Sequence, residues 1–274
     1  MSAPEDRRSV DRYFDEDVGY WSDIYEDHGL DAQIYRRRRN RVVRRIEELN
    51  LPAQTATLEV GCGAGSLAIS LAKRGLDVTA TDSSGQMLLQ ATEAAADHGA
   101  AITFLRADTQ LLPFEDSSFD LVVAIGVIPW VALPEIAIRE MGRVLRPSGH
   151  VVLTSDNLGR MNVVLDPRKT PAFGAFRKAI GRRLRAAGLA RPAPEVSAAM
   201  FRRHRVIAWL LDAGLEISSS ETIGFGPLTL FDRHVLSGTA SIRLDEALQR
   251  LADRGTKPIA GAGAHQLVVA RKGD

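Results

Sequence analysis

The sequence predicts an α/β fold, a mainly parallel sheet with helices packed on both faces. Three observations carry this. From residue 57 onward, short apolar runs alternate with runs of helical pattern, the order of successive β–α units. The run FDLVVAIG at 119–126 is apolar almost throughout, as a strand covered on both faces requires. Glycine, proline and serine stand at the junctions, where chains turn between elements.

The elements follow in order. Residues 1–50 read as helical, with Tyr35, Arg39, Val42, Ile46 and Leu49 on one face. Ahead of that face, YFDEDVGYWSDIY at 13–25 is acidic and aromatic. It reads either as a solvated helix held by Tyr13, Phe14, Trp21 and Tyr25, or as a lid over a ligand. TLEV at 57–60 is a strand, followed by a helix that Gly75 ends. DVTATD at 77–82 is the next strand, and Ser83 or Ser84 starts a helix that Gly99 ends. ITFLRAD at 102–108 and FDLVVAIG supply two more strands. Pro134 opens the helix PEIAIREMGRVL, and Pro147 and Gly149 end it before the strand HVVLTSD at 150–156.

Residues 157–203 break the rhythm, with about a dozen arginines and lysines against Asp166 and Glu195. Phe173, Phe176, Ile180, Leu184 and Ala187 form an apolar stripe among arginines there. Such a segment packs as a cap, lies on a membrane surface or holds an anionic substrate. The next run, 205–225, reads as a helix, a glycine stop and a strand. GPLTLFDRHVLSG is a turn-rich loop, RLDEALQRLADRG a helix, and HQLVVARK at 265–272 a last strand. The expected organisation is a lid over 1–50, a cofactor-binding core over 51–156, and a basic helical cap over 157–203. Residues 204–274 then complete the core, with a loop–helix insertion at about 225–264.

Composition sets limits. The 274 residues carry a formal net charge of +1, so no overall charge recruits nucleic acid or membrane. Cys62 is the single cysteine, which rules out an intramolecular disulfide and argues against a cysteine metal site. The acidic N-terminal stretch has no apolar segment of secretory type, and no run approaches the ~18 apolar residues of a membrane span. A cytoplasmic protein is expected, and the excess of arginine over lysine suggests a bacterial source.

LEVGCGAG at 58–65 turns from a strand into a helix N-terminus, which brings backbone N–H groups close to a ligand. The glycines Gly61, Gly63 and Gly65 follow G-x-G-x-G, and Ser66 replaces the third glycine of the dinucleotide pattern. Glu59 stands two residues before the first glycine. A carboxylate there repels a pyrophosphate and attracts a cation. The sulfonium and ammonium of S-adenosylmethionine suit it, and the charge of NAD does not. Asp82 ends the second strand, placed to accept hydrogen bonds from ribose hydroxyls. Asp108 ends the third, placed for the adenine amino group. Singly each reads as a turn residue; three carboxylates at three consecutive strand ends mark the ligand edge of the sheet.

LEVGCGAG, VTATDSSGQML, FLRADTQLLPFEDSSFDLVVAIGV and MGRVLRPSGHVVLTS together resemble the successive motifs of class I S-adenosylmethionine-dependent methyltransferases. The likeness is to the small-molecule type, which includes ubiquinone-pathway enzymes, and it spans about residues 55–156. It implies a Rossmann-like, seven-stranded sheet with HQLVVARK antiparallel. It implies a cofactor site in which the backbone of Gly61, Cys62, Gly63 and Gly65 follows the methionine moiety and Glu59 supports its ammonium. Asp82 would hold the ribose, with Ser83 also among the cofactor-binding residues. Asp108 and the Thr109 backbone would hold the adenine with Met87 against its ring, and the backbone of Ile125 and Gly126 would meet the ammonium. GVIPW at 126–130 departs from the pattern, because many relatives place a histidine just after the fourth strand.

Methyl transfer needs aligned partners, excluded water and sometimes a base. Tyr20, Trp21, Tyr25 and Trp130 are the expected walls of an acceptor cleft. Asp156, after the fifth strand, and His234, in the late loop, are the candidate bases, each with an ordinary reading as a turn or exposed loop residue. His28, His150 and His204 read as structural or surface groups. Arg39 is a candidate partner for the cofactor carboxylate. The expected activity is methylation of a small-molecule acceptor, acidic or lipophilic, most simply on oxygen in secondary metabolism, by a monomer or homodimer. The alternatives are a lipid-like or quinone acceptor at a membrane surface, an RNA or protein acceptor, and a non-catalytic cofactor-binding scaffold. No nucleic-acid module or metal pattern is present in the sequence.

Overall fold

The computed structural model describes residues 7–16, 19, 29–167, 170, 196–231, 233–236 and 238–274. Tyr20, Trp21, Tyr25, His28 and the apolar stripe from Phe173 to Ala187 lie outside the described residues.

Seven strands form one sheet: β1 (Ala56–Val60), β2 (Asp77–Asp82), β3 (Ile102–Arg106), β4 (Phe119–Ala124), β5 (Leu145–Asp156), β6 (Leu215–Ile223) and β9 (His265–Lys272). Their order across the sheet is β3-β2-β1-β4-β5-β9-β6. The pairs among the first five strands are parallel, and β9 runs antiparallel to both β5 and β6. The chain order reverses between β1 and β4, and such a switch point opens a crevice beyond the carboxyl ends of the strands. Two further strands, β7 (Thr229–Leu230) and β8 (Arg233–His234), make a separate hairpin within the late loop.

Helices flank the sheet: α1 (Arg7–Glu16), α2 (Leu30–Glu48), α3 (Ser66–Ala72), α4 (Gly85–Asp97), α5 (Pro134–Val144), α6 (Met161–Leu165), α7 (Arg203–Asp212) and α8 (Gly238–Asp253). Successive side chains of a strand face opposite sides. Thus Leu121 and Val123 of β4 pack with Val42 and Ile46 of α2 and Leu67 and Leu71 of α3. Val122 and Ala124 pack with Ile138 and Met141 of α5 and Val206 and Leu210 of α7. The four β4 residues are fully buried between these sets, which explains the unbroken apolar run read in the sequence.

Two local readings are refined. The strand β5 begins at Leu145, directly after α5, and runs through Pro147 and Gly149. Pairing with β9 starts only at His150, so the missing N–H of Pro147 interrupts no ladder on that side. The helix α2 buries Ala32, Ile34, Arg38, Val42, Val43 and Ile46. Its outer arginines reach β6 and α8: Arg37 pairs with Asp245, Arg41 with Glu221 and Asp253, and Arg45 with Glu221 at 2.8 Å. Among the described residues no helix is long and apolar enough to cross a membrane, and no cluster of three or more His, Cys, Asp or Glu is arranged to hold a metal ion.

Candidate functional site

At the carboxyl edge of the sheet lies a cleft of 760 Å³ lined by the strand-end loops and by α1 and α2. The loop after β1 forms its floor. Gly61, Gly63 and Gly65 have φ of +67°, +52° and +80°, conformations that side chains rarely adopt. At Gly61 a Cβ would also lie 2.4 Å from Cγ2 of Val127, so glycine is required there on two counts. Gly65 caps α3 against Ala91 of α4 and is the one predicted loop position that does not line the cleft.

The three strand-end carboxylates converge. Glu59 is buried, and its Oε2 has no hydrogen-bond partner. Burial, then the charge of Asp82, pushes its pKa well up, with the N–H of Ala68 opposing. Asp82 accepts the N–H of Gly63 at 2.8 Å through Oδ2 and the N–H of Ser84 at 2.9 Å through Oδ1. Burial raises its pKa too, and these backbone N–H groups limit the rise. Asp108 accepts the N–H of Gln110 at 2.9 Å. Burial, followed by the charges of Glu59 and Asp82, pushes the Cys62 thiol up, which keeps it protonated beside them. Ser83, Met87, Thr109, Ile125 and Gly126 line the same cleft. The Gly126 N–H is held by Thr154 Oγ1 at 2.9 Å, and its φ of +71° turns the chain into the loop that presents Trp130.

The roof comes from α1. Tyr13 stacks on Trp130 with centroids 5.5 Å apart, and Phe14 meets the same indole edge-on at 5.1 Å. Asp15 accepts a hydrogen bond from the Ser84 hydroxyl at 2.5 Å, while that hydroxyl accepts the Met87 N–H at 3.0 Å as the cap of α4. The described part of the predicted lid is thus fastened to the loop that follows β2. Of the four predicted acceptor-cleft aromatics, Trp130 lines the cleft; the other three fall outside the described residues.

Among the described residues, Arg38, one residue from the predicted Arg39, is a buried arginine of the cleft with a hydrogen-bonding group left unsatisfied. Arg39 also lines the cleft, but it donates to Ser66 Oγ at 2.6 Å. Arg38 is 6% exposed as a residue, its guanidinium lies over the Tyr35 ring at 4.6 Å, and its Nε is without a hydrogen-bond partner. A Cβ on Gly126 would stand 3.0 Å from its Nη1. Sequence reasoning chose the neighbouring residue because the apolar pattern sets the phase of a helix only to within about a residue, and both arginines lie toward the sheet. The arrangement at Asp156 was also not legible. Its Oδ1 is 2.9 Å from Nδ1 of His265, a residue of the last strand that carried no motif signal. Asp156 lines the cleft, whereas His234 is exposed on the β7–β8 hairpin and does not. His150 and His204 are not cleft residues either.

One buried carboxylate and one buried guanidinium, each short of a partner and both facing one cleft, fit a ligand that carries an ammonium and a carboxylate together. An amino-acid moiety has that pair of charges, and a pyrophosphate does not.

Residues 58–153 match a family model described as a methyltransferase domain. The chain is 35% identical over 108 residues to a malonyl-[acyl-carrier protein] O-methyltransferase of Enterobacter lignolyticus, covering 38% of this chain and 41% of that protein. It is 38% identical over 121 residues to the ubiquinone/menaquinone biosynthesis C-methyltransferase UbiE of Bdellovibrio bacteriovorus, covering 43% and 48%. The chain thus spans less than half the length of these curated relatives. Among solved structures, the [4+2]-cyclase SpnF is similar at a TM-score of 0.64 and 18% identity, covering 100% of this chain and 98% of that one. The magnesium protoporphyrin IX methyltransferase ChlM of Synechocystis, solved with bound S-adenosylhomocysteine, gives 0.61 and 18%, covering 97% and 100%. The fold is the Rossmann-like methyltransferase fold.

Proposed function

We propose, from the premise that residues 58–153 form a class I, S-adenosylmethionine-dependent methyltransferase domain, that this chain methylates a small-molecule acceptor, on oxygen, in secondary metabolism. The observation that carries the reading is a pair of buried polar atoms without hydrogen-bond partners, Oε2 of Glu59 and Nε of Arg38, in one cleft with Asp82 and Asp108. Glu59 would take the cofactor's ammonium and Arg38 its carboxylate. Asp82 retains lone pairs for the ribose hydroxyls, and Asp108 and Met87 lie toward the adenine. The cofactor supplies an activated methyl group on a sulfonium. The chain's residues bind it, exclude water with the Tyr13–Phe14–Trp130 stack, and offer Asp156 on the acceptor side. An apolar roof favours a reaction in which the sulfonium charge is lost.

The relatives' own names give different acceptors and different methylated atoms, so support for oxygen comes from Asp156 alone, as a hydrogen-bond acceptor for a hydroxyl. A second reading, a lipid-like or quinone acceptor at a membrane surface, is favoured by one observation. Val164 and Leu165 of α6 and Leu230, Phe231 and Val235 around the β7–β8 hairpin are exposed apolar residues. In sequence they flank the basic segment 171–189.

Likeness to a cyclase makes turnover, and not cofactor binding, the deciding test. Protein incubated with methyl-labelled cofactor and a panel of phenols, quinols and lipid extracts should yield S-adenosylhomocysteine and a labelled small molecule. Label recovered only in RNA or protein would overturn the proposal. Label recovered only in the lipid fraction would favour the second reading.

A further inference from the structure

We propose that Asp156 and His265, joined across β5 and β9, form the acceptor-selecting element of the cleft: the pair receives a hydroxyl or amine and turns away a carboxylate. The proposal rests on the reading of the cleft as a methyl-donor site and adds to it the class of acceptor.

Position is the first argument. Along the sheet, β3 and β2 carry the groups assigned to adenine and ribose, and β1 and β4 those assigned to the methionine end. Asp156 ends β5, the next strand beyond, so it lies past the end of the cofactor that bears the methyl group. It lines the same cleft as Glu59, Arg38 and Trp130.

Fixation is the second. Asp156 and His265 are direct cross-strand partners in the β5–β9 ladder, and Nδ1 of His265 lies 2.9 Å from Asp156 Oδ1. The His265 side chain is 9% exposed, and the Tyr35 ring lies 6.0 Å from the imidazole. The backbone carbonyl of Asp156 is held by the N–H of Phe201 at 2.9 Å. Held on these sides, Asp156 keeps Oδ2 without a hydrogen-bond partner among the described residues, available to the cleft.

Charge is the third. Among the described residues, the charged or titratable groups acting on Asp156 are His265 on β9, Arg38 on α2 and Arg160 in the turn before α6. Burial alone would raise the Asp156 pKa, but the His265 hydrogen bond and the charges of Arg38 and Arg160 outweigh it, and the carboxyl stays below its ordinary value. Burial lowers the pKa of His265, so the neutral ring donates from Nδ1. A fixed anion accepts a hydrogen bond from O–H or N–H and repels a second carboxylate at short range.

The acceptor oxygen or nitrogen bonds to the methyl carbon, and the carbon–sulfur bond breaks with its electron pair passing to sulfur. The proton on the acceptor passes to Asp156 and on to water. A weak base suffices, because a methylated oxygen that still carries a proton is strongly acidic. His265 is a positioning residue, since it acts only through Asp156.

The test titrates two probes, 2-naphthol and 2-naphthoate, into S-adenosylhomocysteine-saturated protein by calorimetry. The wild type should bind the hydroxyl probe about tenfold or more tighter than the carboxylate. Asp156→Asn and His265→Phe should bring the ratio toward one, and His265→Asn, which keeps an N–H donor, should restore it. The carboxyl carbon signal of Asp156 should titrate at higher pH in His265→Phe and return in His265→Asn. Naphthoate bound as tightly as naphthol, neither probe bound, or a ratio unchanged in Asp156→Asn would overturn the proposal. If the wild type fails to bind S-adenosylhomocysteine, the donor reading fails instead, and the probe ratio measured without it still decides the selection.

Discussion

At the scale of single residues, the cleft holds destabilising groups that a ligand would relieve. Glu59 is buried beside Asp82 with one oxygen unpaired. Its folded pKa is raised, so the stability tied to its neutral form is fully present below the unfolded pKa. That stability is lost as pH rises through the folded value. Glu59→Gln should therefore stabilise the ligand-free protein above that pH by about 1 kcal/mol, or about 2–4 °C in Tm. The same change should weaken S-adenosylhomocysteine by about 10–100-fold, since a charge-assisted hydrogen bond is lost. It should also flatten the rise of affinity with pH. Thermal melts and calorimetry across pH check both signs. Arg38 and Arg39 separate cleanly. Arg38→Ala should cost S-adenosylhomocysteine about 10–100-fold, and Arg39→Ala, which loses a bond to Ser66, much less. Equal effects in calorimetry would mean that the carboxylate is not held by Arg38. Glu59, Asp82 and Asp108 were legible because each lies at, or within two residues of, the carboxyl end of a strand in a countable pattern. Arg38 and His265 were not, because one depends on helix phase and the other on which strand neighbours β5.

At the scale of elements, most of the sheet was legible because β–α alternation is a local signal repeated several times. The limits were set by contacts distant in sequence. Whether β5 begins at Leu145 or His150 depends on Phe119 pairing with Leu145, and whether residues 226–238 form a plain loop depends on Thr229 meeting His234. The loop after β1 is the element that joins fold to site. Gly61→Ala forces a side chain into a left-handed conformation and against Val127. It should lower stability by about 2 kcal/mol and reduce S-adenosylhomocysteine affinity at least about tenfold, since the backbone no longer closes on the ligand. Denaturant melts and calorimetry on the same sample measure both losses. A variant that melts earlier yet binds unchanged would place the loop outside the site.

At the scale of the whole molecule, the C-terminal residues complete the sheet and clamp α2 to it. Asp245 is 1% exposed, pairs with Arg37 of α2 and accepts the N–H of Phe225 at 2.6 Å. Gln249 accepts the N–H of Gly224 at 2.8 Å and donates to the Thr222 carbonyl at 3.1 Å. This polar seam on α8 holds α2, and with it Tyr35 and Arg38, over the cleft. Asp245→Ala strands Arg37 and the Phe225 N–H, and should cost about 2 kcal/mol, a fall of about 4–8 °C in Tm. Thermal unfolding of the variant measures it. The seam was not legible in the sequence, where RLDEALQRLADRG reads as an ordinary amphipathic helix, because its polar residues find their partners some 20 to 200 positions away. The central claim is that the cleft takes a ligand with an ammonium and a carboxylate and not a pyrophosphate. It is tested most directly by titrating S-adenosylhomocysteine and NADH separately into the protein in a calorimeter. Saturable one-to-one binding of S-adenosylhomocysteine with no heat from NADH is the predicted result; saturable binding of NADH with S-adenosylhomocysteine silent would contradict it.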